Sequence, residues 1–498
     1  MTTDAETNDR HLLDAMLRHA RHRSDSVAIR DASGRALNWG ELAVRVFMQS
    51  ESLSNDTPRS VTNSDRITNE VRNTIDDVVL ALACLAAGVI EIAIDARFPE
   101  SVRHELIRRS AGTIVPSLKR IPPDQACDPS SVRASIDVLT KCADSIAIDA
   151  PSLVLWTSGT TAKPRGVTLS PRNLFTNAVA KLRAVPQSTD DHRLSVLPIS
   201  HAYARTCDMG TWLLSGGTWT IDSGTQALDR INDSDPPTHI NGVPSIARTI
   251  CERLHAGDEK LSRLRVLGCG GAALDHATFE RIQRRGVMVI QGYGCTETSP
   301  VIFSARATSA DDQRPGCVGE LVDGWEIRVQ ESRLFVRGPG VMLGYLDEPK
   351  ATAQKIDQDG WLDTGDLVEQ IDGGKFRILG RADDVIVLDN GFKIHPQMIE
   401  PMINALPDVR HAIILTQPQE LIVAIEPQAS GKSWDRSAVE SVLADYLPPG
   451  TKRRIELIDP PLSHERQELT AKGTPKRNAV AARLKLKVDE RPKPFGGV

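Results

Sequence analysis

Apolar and polar positions alternate along this chain in two different rhythms. In the first, short solid apolar runs are followed by longer amphipathic stretches. Val27-Ala-Ile-Arg30 and Leu37-Asn-Trp-Gly-Glu-Leu42 predict a short strand pair leading into a helix, and Asp77 to Gly88 (DVVLALACLAAG) predicts an apolar helix stopped by a glycine, with a strand over Val89 to Ile94. From residue 152 the alternation is regular. SLVLW is a buried strand, and Ser170-Pro171 supplies an N-cap and a first-turn proline for a helix running through Leu174 toward Leu182. Leu194 to Leu197 feeds a helix near His201, Thr238 to Asn241 precedes the Pro244 helix, and Leu264 to Leu267 and Val287 to Ile290 flank another helix. Strand and helix in turn predict α/β layers on mostly parallel sheets.

Beyond about residue 315 the rhythm changes to short strands punctuated by glycine. Glu326 to Val329 and Arg333 to Val336 fit a small antiparallel β unit. Near residue 382 a compact α+β module is expected to begin, with strands at Val385 to Leu388, Ala412 to Leu415 and Leu421 to Ile425 and helices at Pro396 to Ala405 and Ser437 to Tyr446. The expected division is a large domain over 1–381 and a small mobile α+β domain over 382–498. The Lys-rich tail ending RPKPFGGV reads as disordered, and no internal repeat is visible.

Composition narrows the classes of partner. With 498 residues, 25% charged, and a net charge of −5, no global field marks a nucleic-acid or membrane-surface binder. No apolar run approaches the roughly 20 residues of a membrane span, and the acidic start is unlike a secretory signal. A cytoplasmic protein is expected. The eight cysteines show no CxxC pairing, which argues against a zinc site or a disulfide framework.

The most specific segment is Thr157-Ser-Gly-Thr-Thr-Ala-Lys-Pro-Arg-Gly166. Gly159 lets backbone approach a ligand, the hydroxyls of Thr157, Ser158, Thr160 and Thr161 donate hydrogen bonds, and Lys163 and Arg165 add charge, so the loop can wrap phosphates. Its spacing is not that of a Walker loop. A second string, Gly292-Tyr-Gly-Cys-Thr-Glu-Thr-Ser-Pro300, follows a strand, where a parallel sheet opens a ligand crevice. In it Tyr293 offers a flat face to an adenine, Thr296 can reach a phosphate oxygen, and Glu297 can hold Mg2+, a cation that prefers oxygen ligands. Gly360-Trp-Leu-Asp-Thr-Gly-Asp366 sets a carboxylate in a glycine turn suited to two vicinal ribose hydroxyls. Arg381, in Leu379 to Ile386, is a fixed cation for the nucleotide. Gly268 to Ala273 fits GxGxxA, but the next strand ends without the acid a dinucleotide fold requires.

These segments, in this order, resemble the adenylate-forming superfamily of acyl-CoA synthetases, peptide-synthetase adenylation domains and luciferases, and the resemblance runs over nearly the whole chain. It implies that Thr157, Ser158, Gly159, Thr160, Thr161 and Lys163 hold the phosphates, with Thr160 taking part in catalysis. Gly271, Ala272, Tyr293, Gly294, Thr296, Asp366 and Arg381 would complete the ATP site, with Glu297 as metal ligand. It further implies a hinge at Asp383, an acyl pocket bordered by His201 and Gly270, and a pantetheine channel lined by Gly391. Ala162 and Pro171 stand where the family commonly has glycine and histidine. The family's ending, Thr-x-x-Gly-Lys-x-x-Arg, is altered here to Thr470-Ala-Lys-Gly-Thr-Pro-Lys-Arg477, with Thr474 at the lysine position. Lys472, two residues early, is the preferred catalytic lysine, and Lys476, two late, is the second candidate.

The implied reaction joins a carboxylic acid to ATP, releases pyrophosphate, and passes the acyl group to the thiol of CoA, catalysed by positioning and charge neutralisation. The Leu197 to Arg205 segment (LPISHAYAR) resembles fatty-acyl ligases, so a medium- or long-chain fatty acid is the leading expectation. Two alternatives stand beside it. One is a ligase for aryl or amino acids or one loading a carrier protein, and the other is a catalytically silent nucleotide- or acyl-binding protein.

Overall fold

The parallel strand order follows from buried β runs joined by helices, which return the chain to the same sheet edge. The computed structural model describes residues 9–56, 65–111, 113–114, 128–157, 164–388, 392–417, 420–429, 434–463, 465–469 and 474–486. Among them the largest sheet has nine strands. Its centre runs parallel through Val27–Asp31, Thr218–Ile221, His192–Ser195, His239–Gly242, Val266–Cys269 and Met288–Gly294. Val301–Ser304 and Glu320–Leu321 extend one edge antiparallel, and Ala36–Asn38 pairs antiparallel at the other. The second sheet is six-stranded, with Thr113–Ile114, Arg66–Val71, Ile90–Asp95 and Leu153–Trp156 parallel and Gly166–Leu169 and Gly344–Tyr345 antiparallel.

The strand Gly166–Leu169 corrects the sequence reading, in which the phosphate loop led directly into a helix. Instead the loop joins two antiparallel strands, and the helix Pro171–Ala184, capped by Ser170 as expected, begins after the second. A third, four-stranded antiparallel sheet is formed by Glu326–Gln330, Arg333–Arg337, Leu362–Ile371 and Lys375–Arg381. One apolar core joins all three sheets, from Leu13 and Trp39 through Leu155 and Trp219 to Leu334 and Phe376.

Residues from 386 onward pack around separate apolar clusters, built on the sheet Val409–Gln417, Glu420–Pro427 and Arg453–Leu457 with the helices Pro396–Asn404 and Arg436–Tyr446. A small cluster of Leu367, Ala382 and Val385 lies at the junction. Arg477–Arg483 is a helix whose Val480 is buried, and the tail read as disordered, ending RPKPFGGV, lies outside the described residues over 487–498. No described helix is long and apolar enough to cross a membrane, and the described cysteines are free thiols.

Two sheets are tied by one buried segment. Arg205–Gly210 forms a π-helical turn between the short helices Ala202–Ala204 and Thr211–Ser215, and all six of its residues are buried. Arg205 pairs with Glu91 of the six-stranded sheet, and Asp208 accepts from Arg193 of the nine-stranded sheet at 2.8 Å.

Buried histidines give the fold an acid sensitivity. His19 packs against Trp39 with ring centroids 4.8 Å apart and the rings tilted by 36°, and its burial, helped by the charge of Arg18, lowers its pKa from 6.5 to about 4. The unfolded chain takes up this proton first as pH falls, so stability present above pH 6.5 is lost progressively toward pH 4. The shift corresponds to about 3 kcal/mol. Urea unfolding of wild type and His19→Gln across this window should show a shallower pH slope in the variant. The residual slope belongs partly to His239, which burial and Arg193 also lower.

Candidate active site

Chain ends of the parallel strands converge where a ligand crevice is expected. The strand Met288–Gly294 carries Tyr293 and Gly294 and passes through Cys295 into the turn Thr296–Thr298, which contains Glu297. At Gly294 a Cβ would overlap the Pro300 carbonyl oxygen, so only glycine lets this strand approach the returning chain. Gly294→Ala is expected to cost about 1–3 kcal/mol. It should also abolish the thermal shift given by ATP, as measured by differential scanning fluorimetry.

The phosphate-loop residues divide at its rim. Thr157 N donates to Arg165 O at 2.9 Å, and Arg165 N donates back to Thr157 Oγ1 at 3.0 Å. Ser158, Gly159, Thr160, Thr161 and Lys163 lie outside the described residues. The far stem of the loop is held by groups that motif reading missed. Arg109 donates to Pro164 O at 2.7 Å, rests on the Trp156 ring and pairs with Glu348 at 3.2 Å, and Glu348 also holds Arg165 at 3.3 Å. Arg165 in turn lies over the Tyr345 ring, at 5.1 Å, and the Tyr345 hydroxyl donates to Glu297 Oε1 at 2.8 Å. Burial and the charge of Glu297 push the Tyr345 phenol up, which keeps it a donor. Tyr345 therefore ties the Glu297 carboxylate to the stem of the loop. The aromatic in Leu343-Gly-Tyr345 was the available signal.

Asp366 is placed differently from the sequence expectation. It sits within the ten-residue strand Leu362–Ile371, opposite Arg381, rather than in a turn. Gly365, at φ +76°, supplies the local kink, and a side chain there would press on the Arg381 guanidinium. Asp366 Oδ2 accepts from the Tyr293 hydroxyl, and Oδ1 faces Arg381 Nη1 at 3.3 Å. Burial raises the Asp366 pKa, opposed by Arg381 and the Tyr293 hydrogen bond. Tyr293, Asp366 and Arg381 are thus brought together, with Arg381 also donating to Thr364 O at 3.0 Å. Asp383 follows in the turn Ala382–Asp384, 3.9 Å from Arg381.

On the neighbouring strand ends, Gly270 packs under the Tyr203 ring and Gly271 takes φ +81° near Val243, while Ala272 is exposed. The Tyr203 hydroxyl points to Asn241 Oδ1 at 3.5 Å, and Asn241 donates to Asp208 at 2.7 Å. His201 caps the Ala202–Ala204 turn and meets Asp95 at 3.1 Å. Burial alone would raise the Asp95 carboxyl, but His201 and the paired Arg97 outweigh it and hold it well below the usual range. The Asp95 partner was not apparent in the sequence.

In the small module, Lys476 lies at the N-cap of Arg477–Arg483, with its backbone N–H on Glu468 O at 2.8 Å. Lys472 and Gly391 fall outside the described residues.

The model of the AMP-binding enzyme family matches residues 16–346. The chain belongs to that family. This AMP-binding enzyme is 29% identical over 426 residues to a feruloyl-CoA synthase from Amycolatopsis sp, covering 81% of this chain and 84% of that one. It is 27% identical over 452 residues to a propanoyl:CoA ligase from Rhodococcus jostii (strain RHA1), whose acyl group carries a methylated dioxo-octahydroindene ring, covering 82% and 86%. The structure superposes on ATP-bound MatB from Rhodopseudomonas palustris with a TM-score of 0.77 at 22% identity, over 95% of this chain and 99% of that one, a likeness of fold.

Proposed function

We propose that this AMP-binding enzyme is an ATP-dependent acid–thiol ligase that makes an acyl-adenylate and then an acyl-CoA. One observation carries the reading: Asp366, bridged by Tyr293 and Arg381, lies in the same strand-end region as Glu297, which Tyr345 ties to the stem of the phosphate loop. This supports a reading in which Asp366 takes the ribose and Glu297 the metal beside the stem of the loop whose hydroxyls would meet the phosphates. A carboxylate oxygen of the acid attacks the α-phosphorus of ATP, the P–O bond to the β-phosphate breaks, and pyrophosphate leaves. The CoA sulfur then attacks the acyl carbon, the thiol proton passes to solvent, and AMP leaves.

Mg2+ fits this donor set. Glu297 is half-exposed, with Tyr345 on Oε1, and among the described residues no group of three or more His, Cys, Asp and Glu is gathered for a metal. An ion at Glu297 would therefore take its other oxygens from phosphate and water, as magnesium does with nucleotides. When bound it neutralises charge on the phosphates. The loop hydroxyls would donate to phosphate, Asp366 would accept from the ribose hydroxyls, and a lysine of 470–477 would meet the developing charge.

The division into 1–381 and 382–498, with Asp383 as hinge, is supported by the separate apolar clusters on either side of that residue. For the acid itself a ring-bearing acyl group is better supported than the straight fatty chain expected from LPISHAYAR. The two relatives are named for ferulate and for a fused-ring propanoate, and in this chain the Tyr203 ring packs closely on Gly270 at the strand ends. Pyrophosphate release should be followed over benzoate, 4-hydroxycinnamate, acetate and palmitate, with and without CoA. Release with the ring acids and a CoA-dependent thioester product are expected. Release with palmitate alone restores the fatty-acyl reading, and ATP binding without release from any acid makes this a binding protein.

A further inference from the structure

Two neighbouring strands of the six-stranded sheet end against one short segment of the nine-stranded sheet. Arg66–Val71 and Ile90–Asp95 run parallel with Val71 opposite Asp95, so the residues just past Val71 emerge beside Asp95. The segment they meet, 196–201, leaves the end of the strand His192–Ser195 and carries His201. Asp95 reaches it through the His201 ring at 3.1 Å. Asn73 reaches it through the backbone: its Nδ2 donates to Leu197 O at 2.9 Å, and its Oδ1 accepts from Ile199 N–H at 3.0 Å. Nδ2 also donates to Asp222 O at 2.7 Å, just past the strand Thr218–Ile221 of the same nine-stranded sheet.

Few residue types could make this clasp. The chain has Arg72 and Asn73 in which to pass from the strand Arg66–Val71 to Thr74, the N-cap of the helix Ile75–Ala87. Asn73 makes the turn at φ +61°, a left-handed conformation that asparagine adopts more readily than most side chains do. Its side chain is buried and its hydrogen-bonding groups are matched, with two N–H protons for two carbonyls and one oxygen for an N–H. A carboxylate of the same shape would set an oxygen against Leu197 O and Asp222 O. A glycine would keep the backbone angle but remove all three bonds. Elsewhere in the segment Gly224 N–H holds Val196 O at 2.8 Å, and His201 N–H closes on Pro198 O at 3.0 Å. Between these contacts Asn73 gives a donor and an acceptor to alternate residues of the turn.

We propose that Asn73 is a positioning residue for the acid substrate: its amide fixes the turn 197–201 against both sheets, and with it the place of His201 at the edge of the acyl pocket. This rests on the ligase reading in which His201 borders that pocket. The residues read as nucleotide ligands stand on other elements, Tyr293 on Met288–Gly294, Glu297 in Thr296–Thr298 and Asp366 on Leu362–Ile371. Loosening the turn therefore changes how the acid is held while ATP is held as before. A residue that merely stabilised the fold would, when lost, weaken the hold on both substrates alike.

The test uses the full-length protein and the variants Asn73→Gly and Asn73→Asp. Pyrophosphate release is measured against acid and against ATP in turn, with the two fastest acids of the panel. Both variants are expected to raise the KM for the faster acid about tenfold and to leave the KM for ATP within about twofold of wild type. The ratio of kcat/KM between the two acids should narrow about threefold. Asn73→Gly combined with His201→Ala should lose less than the two single losses multiplied together, because the first acts through the second. Hydrogen exchange over 196–204 should quicken in Asn73→Gly, where Ile199 N–H has lost its acceptor. A parallel rise in KM for both substrates, with a lowered melting temperature and an unchanged acid ratio, would mean that Asn73 only holds the fold, and would overturn the proposal. Quickened exchange with an unchanged KM for the acid would overturn it as well. Should Asn73→Gly fail to fold, Asn73→Asp, which keeps the shape of the side chain, decides on the same kinetic readouts. A wild type that released no pyrophosphate from any acid would sink the ligase reading and this proposal with it. An active wild type beside variants with unchanged KM for the acid would remove the role of Asn73 alone.

Discussion

Lys472→Ala is expected to slow acid-dependent pyrophosphate release about 100- to 1,000-fold, the usual cost of removing one donor from a developing negative charge. Thioester formation from supplied acyl-adenylate should be nearly unaffected, because that step no longer builds charge on the α-phosphate. Lys476→Ala should leave both half-reactions within about threefold of wild type. The contrast follows from Lys476, which is fixed at the N-cap of the helix Arg477–Arg483 with its backbone N–H on Glu468 O, whereas Lys472 is the preferred candidate from the altered family ending. Quenched-flow measurement of pyrophosphate in the two variants decides between them. Full activity in Lys472→Ala together with loss in Lys476→Ala would reverse the assignment.

Asp366→Asn should raise the KM for ATP and lower kcat/KM about 100-fold. Two charge-assisted hydrogen bonds are weakened, each worth about 1.5–3 kcal/mol, and every 1.4 kcal/mol is about tenfold. Wild-type protein should prefer ATP to 2′-deoxy-ATP, and the variant should lose most of that preference. Both Asp366 oxygens are engaged in the structure, one by Tyr293 and one by Arg381, so a ribose that binds there must displace or share the Tyr293 hydroxyl. Retained discrimination against the deoxynucleotide in Asp366→Asn would show that the ribose is read elsewhere.

Much of the architecture was legible because its strands are buried on both faces and its helices carry strong start and stop residues. Ser170-Pro171 and Gly88 ended up where their chemistry requires, at an N-cap with first-turn proline and at a left-handed C-cap. What escaped reading was short or masked by charge. Gly166–Leu169 is only four residues and merges with the loop before it, and Arg453–Leu457 is an edge strand with mostly charged residues, which suits an edge but hides a strand. The site divided in the same way. Glycine-rich strings announce themselves locally, so Tyr293, Glu297, Asp366 and Arg381 could be named from sequence. Asp95 beside His201, Tyr345 beside Glu297 and Glu348 between Arg109 and Arg165 are pairings across long stretches of chain. Only strand order brings them together.

The π-helical turn at Arg205–Gly210 makes this segment unusually intolerant of a change in residue count. Each residue of an α-helix advances about 100°, and a π turn accommodates one residue more than an α turn would. Here that extra residue lets Arg205 reach Glu91 in one sheet while Asp208 reaches Arg193 in the other. Removing a single residue would restore ordinary helical winding but rotate one of these side chains away from its sheet. The deletion would strand a buried charge without loosening any loop, so length variation in relatives that keep both pairs should be accommodated outside this turn.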